Sequence, residues 1–234
     1  MSHKRLKVRR FVALLASVFV VCVLLLAHDA MWQQAAQPLE VNSDAAPSGS
    51  AAALLKTLPI KGRAPKTDYA RTQFGNGWAT VGGCDMRNVI LHRDLQSPVV
   101  GDGCKVLSGT LHDPYTGTVI AFTRGASTSD DVQIDHVVAL SNAWQTGAQQ
   151  LTPERRKELA NDPLELLAAD GAANQQKSDG DAATWLPANK PFRCQYVARQ
   201  IAVKAKYELW VTRAEYDAMV RVLSGCNGQP LPVR

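Results

Sequence analysis

The sequence predicts one α+β domain of about 170 residues, ample for a core, behind an exported leader. Three observations predict it. Strand-type runs rich in β-branched residues, Lys105–Leu111, Thr118–Thr123 and Val132–Leu140, crowd into the middle of the chain. Helical patterns with clear start signals occupy most of the C-terminal third. Residues 11–27 carry no charge and come after a head with five bases and no acid, the layout of a secretion signal or signal anchor.

The leader comes first. Its head holds Lys4, Arg5, Lys7, Arg9 and Arg10. The 17 residues from Phe11 to Ala27 reach the lower end of the ~17–25 needed to span a bilayer. The positive-inside rule leaves the head in the cytoplasm and everything after it outside. Ala27–Ala30 and Gln34–Ala36 are poor cleavage sites, so secretion and anchoring in the cell membrane both stay open, and Cys22 has no lipobox. The whole chain has 26 Lys and Arg against 21 Asp and Glu. Five of those bases sit in the head, which leaves 21 against 21 outside it. Net charge therefore says nothing for a basic nucleic-acid-binding domain.

Residues 28–64 are rich in Ala, Gln, Ser and Pro without a sustained period and read as a flexible linker, with a short helix at Ala51–Leu58. The folded domain is placed at 65–234. Lys66–Phe74 reads as a helix ended by Gly75-Asn-Gly77, and Asp85–Leu95 as a second. Asp113-Pro-Tyr-Thr-Gly117 is a turn between two strands. Val132–Leu140 is a third strand. Thr152-Pro-Glu154 opens a helix that must stop before Pro163. Leu164–Ala168 is a short buried strand, and Gly171–Ser178 a polar helix. Phe192–Trp210 has the longest helical pattern, with bases at Arg193, Arg199, Lys204 and Lys206. Thr212-Arg-Ala-Glu215 is a capping box whose helix ends at Gly225.

Four cysteines lie beyond the leader, an even number in an oxidising compartment. Four cysteines allow three connectivities. Cys84–Cys104 and Cys194–Cys226 are favoured because each pair brackets a local unit. No Cys-x-x-Cys spacing supports zinc.

Within the third strand sit a carboxylate and an imidazole side by side, Asp135 and His136. A strand core has no packing use for such a pair. Asn161 comes next in a connection, and Asn174 and Lys177 lie on the polar helix. Phosphodiester cleavage needs a base for water and a cation for the phosphate charge. His136 has the unperturbed pKa of a base near neutral pH. Asp135 and Asn174 offer hard oxygen ligands suited to one Mg²⁺ or Mn²⁺. Lys177 is three residues beyond Asn174, on an adjacent face, where it reaches a phosphate. The plainer readings make Asp170 a helix cap, Asp179 and Asp181 loop residues, and the basic stripe of Phe192–Trp210 a solvated face rather than a phosphate track. Arg87 is as well explained by a helix surface as by nucleic acid. His92 and His112 read as non-catalytic, and Trp78, Trp144, Trp185 and Trp210 as core.

This order of strand, strand and helix resembles the HNH nucleases, whose core is the ββα-metal fold. Gln133–Leu140, Asn174–Lys177, Cys104–Leu111, Asp179–Pro187 and Tyr196–Gln200 are similar to an exported actinobacterial branch of that family related to the C-terminal domain of GmrSD-type restriction enzymes. The resemblance covers residues 65–226. It implies a metal-dependent endonuclease acting on nucleic acid, DNA first, with membrane contact only through the leader. It also implies that Asn161 braces the loop between the strands. Adjacent strand residues point to opposite faces, so the family pattern implies a bulge or strand end at Asp135 and His136. A nuclease scaffold retained for binding cell-wall polymer or a protein partner is the rival.

Overall fold

The structure, a computed structural model, describes residues 50–232. The expected leader and most of the expected linker lie outside the described residues. Residues 50–64, however, are packed into the domain. Helix α1 (Ala51–Leu55) starts where Ser50 Oγ accepts from the Ala53 amide at 3.2 Å. Ala51, Leu55 and Leu58 are buried, because their spacing makes an apolar stripe. The Ala51 amide donates to the Gln229 carbonyl at 2.9 Å, and Ile60 bridges Val211. Residues 50–64, expected as linker, therefore pack with the residues beyond the expected boundary at 65.

The helix expected over Lys66–Phe74 is only a 3₁₀ turn at Arg71–Phe74. Asp68 has φ of 59°, which no α-helix passes through. Two short strands come next, β1 (Thr80–Val81) and β2 (Cys84–Asp85), paired antiparallel. Helix α2 (Met86–Asp94) is capped by Asp85, whose carboxylate accepts from the Asn88 amide at 2.8 Å.

Strands β3 (Gln96–Val100), β4 (Val106–His112) and β5 (Val119–Thr123) make an antiparallel sheet with β4 central. The sequence hides β3: it contains Pro98, and its register slips on both sides of Val99. In the turn before β5, Asp113 Oδ2 accepts from the Thr116 amide at 2.7 Å.

Strand β6 (Val132–His136) stops short of the expected Leu140. Leu140 instead opens helix α3 (Leu140–Gln145). Helix α4 (Pro153–Ala160) has the expected Thr152 cap and Pro153 in its first turn. Strand β7 (Leu166–Asp170) starts two residues later than expected, because the Glu165 amide closes a turn onto the Asp162 carbonyl at 2.9 Å. Helix α5 (Gly171–Lys177) begins at once. Helices α6 (Arg193–Lys206) and α7 (Arg213–Leu223) complete the chain, with both hydrogen bonds of the Thr212–Glu215 capping box formed. The disulfides are Cys84–Cys104 and Cys194–Cys226, the favoured pairs.

The β6–β7 ribbon is antiparallel, with Val132 opposite Asp170 and His136 opposite Leu166. Both of its faces are covered. Val132, Ile134, Leu166 and Ala168 join the core under α2, with Ile90 and Leu91. Val137, Leu167 and Ala169 join the larger core, with Tyr196, Val197 and Ile201 of α6. Fully burying a Val, Leu or Ile side chain contributes roughly 1.5–3 kcal/mol. The parity of β6 therefore sends alternate residues into two different cores.

Close packing at the start of α5 yields a direct expectation. A Cβ at Gly171 would lie 2.0 Å from the Asp130 carbonyl oxygen. Gly171→Ala should cost about 1–3 kcal/mol, the usual range for overpacking, read as a lower urea midpoint. At Gly225 the nearest atom is 3.7 Å away, and Gly225→Ala should leave the midpoint unchanged. An unmoved midpoint for Gly171→Ala would contradict this packing.

Candidate active site

Because β6 runs in unbroken register through its last residue, Asp135 and His136 lie on opposite faces. The strand does end at His136, one of the two expected alternatives, but without a bulge, and the ending does not bring the two side chains together. Two distinct polar sites result, one on each side of the ribbon.

On the α5 side, Asp135 is 5 % exposed. Its Oδ1 receives the Lys177 ammonium at 2.9 Å, and its Oδ2 accepts from the Tyr115 hydroxyl. Lys177 Nζ also donates to the His136 carbonyl at 2.8 Å. Burial pushes the Asp135 carboxyl up, while Lys177 and then Tyr115 pull it back. Tyr115 is itself raised well above the usual phenol range, first by burial and then by Asp135. The Asn174 amide nitrogen donates to Gln133 Oε1 at 2.8 Å, on the same ribbon face as Asp135.

The expected divalent ion does not fit this arrangement. Asp135, the one carboxylate of the expected ligand pair, already holds an ammonium and a hydroxyl. Among the described residues no group of three or more His, Cys, Asp or Glu converges to hold a metal. Lys177, expected to touch phosphate, has a side chain with no exposed surface; it serves instead to fasten α5 to β6.

Beside this pair lies Glu165, which the sequence alone does not single out. It is fully buried. Its Oε2 accepts from the Val138 amide at 3.1 Å, and its Oε1 has no hydrogen-bond partner. Burial raises its carboxyl well above the usual range. A raised carboxyl supplies stability below its unfolded pKa and loses it as pH rises through the folded value. Glu165→Gln, which keeps an acceptor for Val138, should therefore raise the melting temperature at pH 8 and change nothing near pH 4. A loss of stability at pH 8 would contradict this.

On the α2 side, His136 is 6 % exposed. Its Nε2 lies 3.0 Å from the Ala160 carbonyl. A carbonyl can only accept, so Nε2 carries the hydrogen and Nδ1 holds the lone pair. The indole of Trp78 stacks on the imidazole, with centroids 5.7 Å apart and planes 7° from parallel. Burial, and after it the positive charge of Arg71, lowers the His136 pKa to about 3. The ring is neutral at physiological pH.

Asn161, expected to brace the loop between the strands, bonds to both neighbouring segments on this side. Its Oδ1 accepts from the Ala79 amide at 2.7 Å and its Nδ2 donates to the Lys157 carbonyl at 2.9 Å. It thereby ties the end of α4, which carries the Ala160 carbonyl, to the segment that carries Trp78. Trp78 and Arg71 were not found from sequence. Trp78 read as core, and only proximity in the fold reveals Arg71. Other polar candidates have structural partners: Asp170 caps α5 through the Ala173 amide at 2.7 Å, and Arg87 donates to the Ser129 and Val132 carbonyls.

The family model for the C-terminal domain of GmrSD restriction endonucleases matches residues 86–222. The chain belongs to this family. The GmrSD C-terminal domain here thus spans α2 to α7 and holds both faces of the β6–β7 ribbon. A relative from the fungus Arthroderma benhamiae, named as an uncharacterized secreted protein, is 36 % identical over 184 residues. The match covers 77 % of this chain and 87 % of the relative. Being fungal, it does not represent the expected actinobacterial branch. No solved structure matches the chain. The GmrSD C-terminal assignment supports a nuclease-like domain, and among the described residues no helix is long and apolar enough to cross a membrane.

Proposed function

We propose that this domain is an exported nuclease-like hydrolase of phosphodiester bonds, with DNA as substrate and His136 as the general base. The observation that carries the reading is the held imidazole. Its Nε2 hydrogen is committed to the Ala160 carbonyl and its plane is set by Trp78. That leaves Nδ1 to take a proton from water. The water oxygen then bonds to phosphorus as the 3′-oxygen leaves and takes a proton from solvent, giving a 5′-phosphate. A pKa near 3 makes a weak base, and Arg71 is part of the cause. A phosphodiester anion beside Arg71 offsets that charge and raises the basicity of His136 when substrate arrives. The half-buried Trp78 must yield to admit it, on a segment that begins at Gly75 and Gly77, both with positive φ.

The secreted relative and the two disulfides support action outside the cytoplasm. Mg²⁺ or Mn²⁺ on Asp135 and Asn174 is the cofactor the HNH resemblance implies, but no step of this reaction runs through it. One observation favours a non-enzymatic scaffold: Asp135 is neutralised internally by Lys177, on the face away from the imidazole. Plasmid nicking by wild type and by His136→Ala, with Mg²⁺, Mn²⁺ or chelator, separates the readings. Equal nicking by both proteins would exclude His136 as the base, and none by either favours the scaffold.

A further inference from the structure

The four bases of α6 do not form a phosphate track. Arg199 is committed to the carbonyls of Pro163, Leu164 and Leu166. Lys204 is buried on Glu215, and Lys206 pairs with Asp162 at 2.7 Å. Arg193 alone turns elsewhere. It lines an open cleft of about 490 Å³ with Lys190 and Arg221, and no carboxylate shares the lining.

The cleft has an apolar side and a covalent tie. Its apolar wall comes from Ala182, Leu186, Ala218 and Val222. The Cys194–Cys226 disulfide ties the first turn of α6 to the chain beyond α7 and itself lines the cleft. Arg193 Nε donates to the Pro187 carbonyl at 2.7 Å, which aims the guanidinium and leaves its terminal nitrogens for a ligand. Among the described residues none of the three cations has an ion-pair partner. Three like charges around one concavity repel each other, and an anion relieves that repulsion.

We infer that this cleft binds a phosphate-bearing nucleotide, with Lys190, Arg193 and Arg221 on the phosphate and the apolar wall against the base or sugar. The volume lies within the ~300–1,000 Å³ of small-ligand sites. The phosphate belongs either to a single strand or to a free nucleotide. The inference rests on the nuclease reading for its role and on binding alone for its test.

The full chain, disulfides intact, is titrated into a labelled single-stranded oligonucleotide with chelator present, and anisotropy is read at several salt concentrations. Arg193→Gln/Arg221→Gln should weaken binding about tenfold or more at low salt. Losing two phosphate contacts should also flatten the slope of log affinity against log salt by about 1.4. Lys105→Gln, an exposed cation just before β4 and outside the cleft lining, should change neither. If the double variant does not fold, Lys190→Gln, also exposed, should flatten the slope by about 0.7. Displacement of the strand by adenosine monophosphate assigns the site to a single nucleotide; binding that it does not displace assigns it to the strand. Unchanged affinity and slope in the cleft variants, or an equal loss in Lys105→Gln, would overturn the inference. A protein that nicks plasmid yet binds without these residues sinks this inference alone; one that binds through them yet never nicks sinks the nuclease reading alone.

Discussion

Lys177→Ala should be among the most destabilising single substitutions in the domain, at roughly 3–5 kcal/mol, the usual cost of removing one partner of a buried ion pair. Both side chains are almost wholly shielded, at 0 % for Lys177 and 6 % for Asp135. Removing the ammonium leaves the carboxylate with Tyr115 and the His136 backbone as its partners, without a counter-charge, and frees the His136 carbonyl as well. Burial already outweighs the pull of Lys177 on the Asp135 carboxyl. Without Lys177 that carboxyl titrates higher still, so the defect should be full at neutral pH and shrink as acid protonates Asp135. Replacing both residues with apolar ones, Lys177→Met/Asp135→Leu, should recover most of the loss. Urea unfolding at pH 7 and pH 4 reads all three results. A defect below about 1 kcal/mol, small against that range, would mean that the pair does not hold α5 to β6.

His136→Ala should lower phosphodiester cleavage by about 10²–10⁴-fold, the range for loss of a positioned general base. The side chain also fills space under Trp78, so its removal destabilises the fold to some degree. His136→Asn keeps a polar side chain beside the Ala160 carbonyl but has no basic nitrogen. It should therefore be as inactive as alanine while melting closer to wild type. A fully active asparagine variant would confine His136 to a packing role. In wild type, acidification has a separate effect. The histidine pKa is depressed, so its contribution to stability is complete above 6.5 and declines towards pH 3.

Local chemistry was the most legible part of the fold. Thr152, Asp170 and Thr212 announced their helices, because a cap is a short-range bond between a side-chain oxygen and an amide three residues on. The disulfides were legible from cysteines that bracket local units. The strand–strand–helix order of β6, β7 and α5 was visible too. The sides of the ribbon were not. β-branched Val137 and Val138 prolong the strand pattern past His136, yet the chain turns there into α3. Nothing local forbids a bulge at Asp135, so the division of the doublet between two cores emerges only once α2 and α6 are both in place. Lys177 read as a phosphate contact because burial of a lysine depends on a partner 42 residues away. Trp78 stacks on His136 and Arg71 acts on it by charge, each across a still longer stretch, and neither belongs to a motif.

The most direct measurement is the conversion of supercoiled plasmid to open circles by the oxidised wild-type chain, from pH 5 to pH 8, with Mg²⁺, Mn²⁺ or chelator. A nuclease whose base stays neutral throughout that range should leave nicked circles at every pH in at least one of these conditions, with termini bearing 5′-phosphate. Plasmid that stays supercoiled under every ion and every pH would contradict it.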